Sequence, residues 1–374
     1  MQTVVHNPGL DGVVVGESAI CQIDETRGSL RYRGYAIEEL AEQATFEEVA
    51  YLLLHGDLPS FHDLQQWQTE LAHAGFLPPV VKQFLQTVPA SAHVMDVLRT
   101  GVSFLGMTDP EAQDISHEAN LRKAVRLLAN MPLLLAWASR TRFDRPLFQA
   151  PATNSFAQSL LYLLTGNLRE DHAKELEVSL NLYAEHELNA STFAGRVASS
   201  TLADLYGAVT AAIATLKGPL HGGANEAVAE MFQAIRDPQK AQGWVHSKLT
   251  GKERVMGFGH RVLKHEDPRS AIIKRRAKAL SQHADGTRWY EMAEIIEQTM
   301  KEEKGLLPNL DFYTAVVYLS IGIPQKAFTP IFVASRLSGW CAHIIEQQDH
   351  NRLIRPRASY IGPPAREFLF IDDR

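Results

Sequence analysis

Apolar residues recur three and four positions apart along most of this chain, a spacing that places them on one face of an α-helix. The stretch ATFEEVAYLLLHG is the clearest case. Thr45 and Glu48 have the spacing of a capping box at its start, and Gly56 supplies a stop after its last apolar residue. β-prone stretches occur only near the N-terminus, in GVVVG and LRYRGY. The sequence therefore predicts an all-α fold with a few short N-terminal β-strands.

The segment TLADLYGAVTAAIATLKGP carries a second complete set of helix signals. Thr201 and Asp204 stand at its start, Lys217 falls in its last turn, and Gly218 and Pro219 end it. Because the segment is apolar nearly all round, we expect a buried helix. Its alanines and glycines would let another helix approach closely, either from the same chain or from a second subunit.

The balance of charge argues against one broad class of partner. With 37 Lys and Arg residues against 43 Asp and Glu residues, the formal net charge is -6, whereas nucleic-acid-binding proteins need a basic surface. Small anionic ligands are still compatible with this charge, because a few local arginines bind them whatever the total. The longest weakly charged stretches, such as residues 205–216, are shorter than the ~20 residues of a membrane span.

Cysteine usage and the N-terminus indicate a reducing compartment. Cys21 and Cys341 lie far apart and form no CxxC pair, so neither a disulfide framework nor a zinc knuckle is predicted. The opening MQTVVHNPGL has neither the basic segment and apolar run of a signal peptide nor the Arg-rich pattern of a transit peptide. We therefore expect a cytoplasmic protein without a nucleic-acid or membrane partner.

His221 is the first candidate functional residue, because it lies in the glycine-rich stretch GPLHGGAN. A helix is predicted to end at Gly218 and Pro219, and the next to begin at Asn225, so the imidazole would face a helix N-terminus. The positive end of that helix disfavours an imidazolium and stabilises negative charge developing on a ligand. The alternative interpretation is an ordinary turn histidine exposed to water.

A second candidate cluster lies in VMGFGHRVLKHEDPRSAIIK. His260 follows a Gly-Phe-Gly turn whose backbone amides can approach a ligand closely. Asp267 and Pro268 have the types expected of an N-cap and a first helical residue, which places Arg269 in the first turn. An arginine beside a helix N-terminus can bind a carboxylate. A solvated basic face is the alternative, and it fits the later basic residues of this helix better than it fits Arg269.

Further candidates lie near other predicted helix ends. In LPNLDFYTAVVYLSIG, Asp311 falls in the first turn, where the helix dipole favours an ionised carboxylate that could act as a general base. A purely structural N-cap is the alternative explanation. LYAEHELNAST contributes His186, which we place on a helix, and the C-terminal region contributes Arg336 and Arg355.

These three histidines, one aspartate and three arginines suit carbon–carbon bond formation between acids. Arginines bind carboxylates, a carboxylate abstracts a proton next to a carbonyl, and histidines donate hydrogen bonds to oxygens that gain charge. The phosphate-loop, HExxH and GxSxG motifs do not occur in the sequence, and neither a metal nor a cofactor is predicted. Two other hypotheses stay open: a non-catalytic helical scaffold, and a metal-dependent hydrolase that uses the same histidine and aspartate residues.

With these motifs in view, the sequence resembles the citrate synthase family over nearly its whole length. GPLHGGAN, GFGHRV, PNLDF, LYAEHELNAST, the Ser-Arg pair at 335–336 and the RPR at 355–357 carry the resemblance, and RYRGYAIEEL and FEEVAYLLLHG match its N-terminal region. The resemblance implies a nearly all-helical, two-domain homodimer that binds oxaloacetate and an acyl-CoA. The large domain would comprise residues 1–221 and 316–374, and residues 222–315 would form a smaller domain that closes over the substrates.

The resemblance also implies a role for each candidate residue. His221 would hydrogen-bond to the thioester oxygen, Asp311 would take the α-proton, and His260 would protonate the keto oxygen of oxaloacetate. Arg355 would reach the site of the partner subunit. The other implied oxaloacetate contacts are His186, Arg269 and Arg336, and the implied coenzyme A segment is Arg254, Val255, Met256, Gly257 and Phe258.

The sequence leaves two alternatives for the acyl group of the substrate. The tail GWCAHIIEQQDHNRLIRPRASYIGP and the ending FLFIDDR are more similar to 2-methylcitrate synthases, which use propionyl-CoA. GFGHRVLK departs from the GFGHPVY usual in that subfamily and is closer to citrate synthases, which use acetyl-CoA. One methylene contributes only ~1 to 3 kcal/mol to discrimination, so we expect both acyl groups to be used, with 2-methylcitrate synthesis as the first hypothesis.

Overall fold

The computed structural model describes residues 7–24, 26–140, 148–149, 151, 153–259, 267–282 and 284–373. Within these ranges the chain forms sixteen α-helices and one small β-sheet close to the N-terminus. The predicted all-α class with a few short N-terminal strands is therefore confirmed. No helix in the described ranges is long and apolar enough to cross a membrane.

The sheet is antiparallel, with strand order β1-β2-β3. Its β2 strand lies in the predicted LRYRGY stretch, but the strand predicted in GVVVG does not form. The valines of GVVVG are exposed, Val14 to 89%, so their side chains do not pack on the core as those of a strand would. The strands are β1 (Cys21–Asp24), β2 (Ser29–Tyr32) and β3 (Tyr35–Ala36).

The helices follow one another along the rest of the chain. The first eight are α1 (Ile37–Gln43), α2 (Phe46–His55), α3 (Phe61–Ala74), α4 (Pro79–Thr87), α5 (Val94–Thr108), α6 (His117–Arg140), α7 (Phe156–Thr165) and α8 (Glu170–Tyr183). The remaining eight are α9 (Ala190–Ser200), α10 (Leu205–Leu216), α11 (Ala224–Ile235), α12 (Pro238–Thr250), α13 (Pro268–Leu280), α14 (Ala284–Lys304), α15 (Leu310–Ser320) and α16 (Phe328–Asp349).

The helix boundaries follow local chemistry. Thr45 and Glu48 form the predicted capping box of α2, and Gly56 ends that helix in the left-handed conformation at φ 94°. Asp204 caps α10 by accepting the backbone N–H of Gly207, as its position predicted. These signals act over one helical turn, which is why they are readable without the tertiary structure.

The centre of the fold is α16, in which every residue from Phe328 to Ile345 is buried. It packs against α2, α5, α6, α8, α9, α10 and α11. A helix surrounded on all sides needs apolar residues all round, so the two basic side chains it buries, Arg336 and His343, need a specific explanation. Arg336 belongs to the candidate site described below, and His343 lies in a polar network behind it.

The apolar helix α10 is buried as predicted, and its main packing partner is α9 of the same chain. Small residues make this contact close: a Cβ at Gly195 of α9 would lie 3.6 Å from the carbonyl oxygen of Ala208 in α10. The helices α11 to α15 pack on one another, while α13 and α15 also contact α8. The chain therefore brings the starts of α9, α13 and α15 and the end of α8 towards the middle of α16.

Candidate active site

His221 lies on a turn between α10 and α11, where only a small residue fits beside it. A Cβ at Gly222 would lie 2.5 Å from the carbonyl oxygen of Leu216, to which the backbone N–H of Gly222 donates at 2.9 Å. This tight turn aims the imidazole at the first turn of α9. The predicted helix start at Asn225 is wrong: α11 begins at Ala224, and Asn225 is buried inside it rather than capping it.

The first turn of α9 determines which ring nitrogen of His221 carries the proton. Asn189 caps α9, and the backbone N–H of Ser191 donates to His221 Nε2 at 3.3 Å. The Ser191 hydroxyl lies 2.8 Å from the same nitrogen and accepts a hydrogen bond from Trp340 Nε1 at 3.1 Å. A backbone N–H can only donate, so Nε2 is an acceptor and the neutral ring holds its proton on Nδ1.

The imidazole of His221 is neutral at pH 7. Burial and then the positive charge of Arg336 lower its pKa from 6.5 to about 4. From the sequence, the neutral form of His221 is expected to result from the dipole of the helix that follows it in the chain. In the structure the facing N-terminus belongs to α9 instead, and burial has the largest effect.

Asp311 lies in the first turn of α15, as predicted, but it is not the N-cap. Asn309 occupies that position and accepts the backbone N–H of Asp311 at 3.1 Å. The Tyr183 phenol donates to Asp311 Oδ1 at 2.5 Å. Burial raises the pKa of Asp311 above its usual value, and the Tyr183 hydrogen bond and the Arg269 charge partly oppose that rise. The carboxyl is therefore more basic than the sequence alone predicted.

Arg336 is a buried cation in the middle of α16, only 2% exposed. Its Nε donates to the carbonyl oxygen of Tyr183 at 2.6 Å, and its guanidinium carbon lies 4.8 Å from the ring centroid of Phe332. In the described part of the chain, Arg336 Nη1 is buried and has no hydrogen-bond acceptor. A buried guanidinium edge without a partner is costly unless an anion binds it.

Phe332 joins these groups into one cluster. Its ring centroid lies 4.5 Å from that of Tyr183 and 6.2 Å from that of His221. The neutral imidazole, the arginine and the tyrosine that holds Asp311 therefore share one aromatic wall. The structure brings three of the predicted residues, His221, Asp311 and Arg336, into one site.

Arg269 is in the first turn of α13, where Asp267 and Pro268 take the predicted N-cap and first positions. Its Nε and Nη2 both donate to Asp267, at 3.0 and 2.9 Å. Burial lowers the pKa of Arg269, but the Asp267 carboxylate outweighs that effect and raises it above its usual range. One edge of the guanidinium is thus already paired within the chain.

The prediction that His186 lies on a helix is wrong. Helix α8 ends at Tyr183, and His186 lies in the connection to α9, where Glu187 has a positive φ of 52°. His186 is nevertheless only 8% exposed. The Tyr32 hydroxyl supports this connection from β2 by donating to the carbonyl oxygen of Glu185 at 2.8 Å.

A buried polar network lies behind the same connection. Arg196 donates to His343 Nδ1 at 2.9 Å, so Nε2 is the ring nitrogen that carries a proton, and it contacts Glu185 Oε1 at 3.0 Å. Arg196 also pairs with Glu346 at 2.6 Å. This network explains the buried His343 of α16 and holds the residue that precedes His186.

The predicted coenzyme A segment is hydrogen-bonded to the residues just before Asp311. The backbone N–H of Asn309 donates to the carbonyl oxygen of Gly257 at 2.9 Å, and Phe258 pairs with Pro308. Gly257 has φ 86°, and a Cβ there would lie 2.8 Å from the Phe312 side chain. Of the five predicted residues, Val255 and Gly257 are buried, Met256 and Phe258 are half-buried, and Arg254 is exposed.

Two predicted residues remain, Arg355 and His260. Arg355 is exposed on the extended chain that follows α16, so its own site does not contain it. His260 lies outside the described residues. In the part of the chain that the structure describes, no group of three His, Cys, Asp or Glu side chains could hold a metal ion.

Sequence reasoning missed Tyr183, Ser191 and Phe332. Tyr183 and Ser191 are both within the LYAEHELNAST motif, so their neighbourhood was visible but their roles were not. Phe332 carried no signal of its own, because a phenylalanine in an apolar helix is ordinarily a core residue.

Comparisons with known proteins identify the family of this chain. Residues 9–357 match the protein family described as citrate synthase, C-terminal domain. This chain belongs to the citrate synthase family. Its relatives include citrate synthase 2 of Bacillus subtilis strain 168, which is 46% identical over 371 residues and covers 98% of both chains. The 2-methylcitrate synthase of Shewanella oneidensis is 44% identical, covering 98% of this chain and 97% of its own.

Solved citrate synthases have the same fold. The citrate synthase of Thermoplasma acidophilum, in a ternary complex with carboxymethyl coenzyme A and oxaloacetate, superimposes with a TM-score of 0.91. It is 34% identical and covers 98% of this chain and 99% of its own. Citrate synthase family members are enzymes that condense an acyl-CoA with oxaloacetate. The relatives of this chain include both citrate synthases and 2-methylcitrate synthases, so family membership leaves the acyl group open.

Proposed function

We propose that this protein is a 2-methylcitrate synthase that condenses propionyl-CoA, and also acetyl-CoA, with oxaloacetate and water, releasing coenzyme A. One observation supports this most: the buried, unpaired edge of Arg336 lies in the same cluster as a neutral His221 and a carboxyl that Tyr183 holds. A site of this kind binds a carboxylate next to a proton acceptor and a hydrogen-bond donor.

The first step is enolisation of the acyl-CoA. Asp311 takes a proton from the carbon next to the thioester carbonyl, and the electrons of that C–H bond move towards the carbonyl oxygen. His221 donates Nδ1–H to this oxygen as it gains charge, which is the orientation that Ser191 imposes on the ring. A carboxylate is a weak base for such a carbon, so the reaction needs this stabilisation at the moment of proton transfer.

The second step forms the carbon–carbon bond. The enol carbon attacks the keto carbon of oxaloacetate, and the keto oxygen takes a proton from His260. Arg336, Arg269 and His186 hold the carboxylates and keto oxygen of oxaloacetate, together with Arg355 of the second subunit. Water then cleaves the thioester and releases coenzyme A. These side chains supply the proton transfers and charge stabilisation, so we propose no metal or cofactor.

We propose that residues 222–315 form a small domain that closes over the substrates, with residues 1–221 and 316–374 as the large domain. The hydrogen bond between Gly257 and Asn309 would then make the coenzyme A segment and Asp311 move together. Closure would exclude water from the enol until the new bond has formed. We place this reaction in the cytoplasm.

The choice of acyl group rests on the C-terminal sequence, which resembles 2-methylcitrate synthases. Citrate synthesis from acetyl-CoA is the second candidate, and the identity of 46% to the Bacillus subtilis citrate synthase 2 favours it. The two substrates differ by one methylene, and an apolar pocket distinguishes such a pair by about 10- to 200-fold.

We predict that coenzyme A is released from propionyl-CoA only when oxaloacetate is present, with a higher kcat/KM than for acetyl-CoA. A thiol-reactive dye measures both reactions. A clear preference for acetyl-CoA would overturn the first candidate in favour of the second. Coenzyme A release that does not depend on oxaloacetate would instead indicate a thioesterase, and loss of activity on treatment with a strong chelator would indicate a metal-dependent enzyme.

We propose a homodimer in which Arg355 completes the site of the partner subunit, because Arg355 is exposed on the extended chain after α16. Leu353, Tyr360 and Ile361 on the same extended tail are 58%, 78% and 95% exposed, which is unusual for apolar side chains in one segment. A second subunit would cover them. Light scattering on a sizing column is then expected to show a dimer.

Subunit mixing tests the shared site directly. Asp311→Asn and Arg355→Ala are each expected to be nearly inactive alone, whereas a refolded equal mixture recovers about a quarter of wild-type activity, because half of the dimers carry one intact site. A mixture of Asp311→Asn with His221→Ala is the control and recovers none, since those residues come from the same subunit. Equal recovery in both mixtures, or none in either, would contradict the proposal for Arg355.

A further inference from the structure

Tyr183, the last residue of α8, contacts both the proposed base and an arginine of the proposed oxaloacetate site. Its phenol donates to Asp311 Oδ1 at 2.5 Å, and its carbonyl oxygen accepts from Arg336 Nε at 2.6 Å. Its ring packs on Phe332, with centroids 4.5 Å apart, and the side chain is only 2% exposed. Three separate parts of one residue therefore touch the base, the substrate arginine and the aromatic wall.

We infer that Tyr183 is a positioning residue for the base: its phenol occupies Oδ1 of Asp311, so that Oδ2 is the oxygen that takes the α-proton. The inference rests on the proposed function of Asp311. It adds a residue that touches neither substrate but determines which oxygen reacts and how basic that oxygen is.

The hydrogen bonding of Asp311 supports this assignment. Its backbone N–H is used by the Asn309 cap, and its Oδ1 by Tyr183. Among the described residues no donor engages Oδ2, and Asp311 is half-buried. The ring of Tyr183 cannot swing away, because it is buried against Phe332. The carboxylate therefore has one held oxygen and one oxygen available for proton transfer.

The charges around Asp311 show why a donor is needed. Burial raises the pKa of Asp311 above its usual value, and the neighbouring Asp267 at the start of α13 adds to that rise. The Tyr183 hydrogen bond, Arg269 of α13 and Arg336 of α16 oppose it. Of these three, the Tyr183 hydrogen bond has the largest effect, and Tyr183 is the one that contacts the carboxylate.

Tyr183 itself stays protonated and can only act as the donor in this pair. Burial, followed by the Asp311 charge, raises the pKa of its phenol well above the usual value. The buried Tyr318 on α15 also feels the Asp311 charge, but its hydroxyl pairs with Ser179 at 3.0 Å rather than with the base. Tyr318 is thus a matched tyrosine: buried, close in space and uninvolved in the proposed role.

The test uses the pH dependence of kcat/KM for the acyl-CoA. Activity requires ionised Asp311, so it falls as the pH drops through the pKa of that carboxyl. Tyr183→Phe removes the hydrogen bond that stabilises the carboxylate, so the pKa of Asp311 rises. The acidic limb of the pH profile, where kcat/KM falls as the pH drops, is expected to move to higher pH by about 1 to 2 units, the usual size of a hydrogen bond to a charged group. The KM for oxaloacetate stays within about 2-fold, because Arg336 bonds the backbone of Tyr183.

Two further variants separate this role from a structural one. Tyr318→Phe removes an equally buried phenol and is expected to leave the acidic limb in place. Replacing Tyr183 with 3-fluorotyrosine keeps the shape of the ring while strengthening the donor, so the limb moves to lower pH. This second replacement decides the question if Tyr183→Phe does not fold.

The outcomes are distinct. The inference is supported if the acidic limb moves to higher pH in Tyr183→Phe, to lower pH with 3-fluorotyrosine, and not at all in Tyr318→Phe. An active wild-type enzyme whose limb does not move in the position-183 variants overturns the inference and leaves the proposed function standing. A wild-type enzyme that releases no coenzyme A with oxaloacetate overturns the proposed function and the inference together.

Discussion

Asp311→Asn is expected to lower kcat by about 10²- to 10⁴-fold, the usual contribution of a general base. The amide has the shape of the carboxylate, and its oxygen can still accept the Tyr183 phenol, but it cannot take the α-proton. The fold should not change, because Asn309 rather than Asp311 caps α15. The structure therefore separates the catalytic explanation from the N-cap explanation that the sequence left open.

Two measurements check this prediction. Coenzyme A release reports the whole reaction, and exchange of the α-protons of the acyl-CoA in D₂O reports the first step alone; both are expected to fall together. Asp204→Asn is the matched control, since Asp204 also starts a helix but serves only as its cap. Near-normal turnover in Asp311→Asn would exclude Asp311 as the base.

His221→Ala is expected to lower kcat by about 10²- to 10³-fold, the usual cost of removing one donor to a developing oxyanion. The KM for oxaloacetate should change little, because His221 acts on the thioester oxygen. The pKa of His221, lowered to about 4, adds a pH prediction. The ring stays neutral above about pH 5, so protonation of His221 should not reduce wild-type activity between pH 6 and 7.

The tautomer of His221 can be tested with a matched pair of substitutions. The amide N–H of asparagine lies where Nδ1–H lies in histidine, whereas that of glutamine lies nearer to Nε2. His221→Asn is therefore expected to keep more activity than His221→Gln. The reverse order would mean that Nε2 carries the reacting proton, and the assignment from the Ser191 backbone N–H would be wrong.

Several parts of the site were readable before the fold. The first-turn positions of Arg269 and Asp311 and the turn around His221 all follow from helix signals within a few residues. Two of the local predictions that failed, the strand in GVVVG and the helix at His186, failed because tertiary packing decided them. The valines of GVVVG are exposed and do not pack on the core, whereas the connection that contains His186 is buried and supported from β2.

The sequence by itself determined the helical class, the capped starts of helices such as α2, α10 and α13, and the family, because caps and motifs act between residues that are close along the chain. The tertiary structure alone decided the ionisation of the site. Burial and Arg336 lower the pKa of His221, and Tyr183 reaches Asp311 across 128 positions. Burial and long-range contacts set the energy of a charge, and they exist only once the helices have packed.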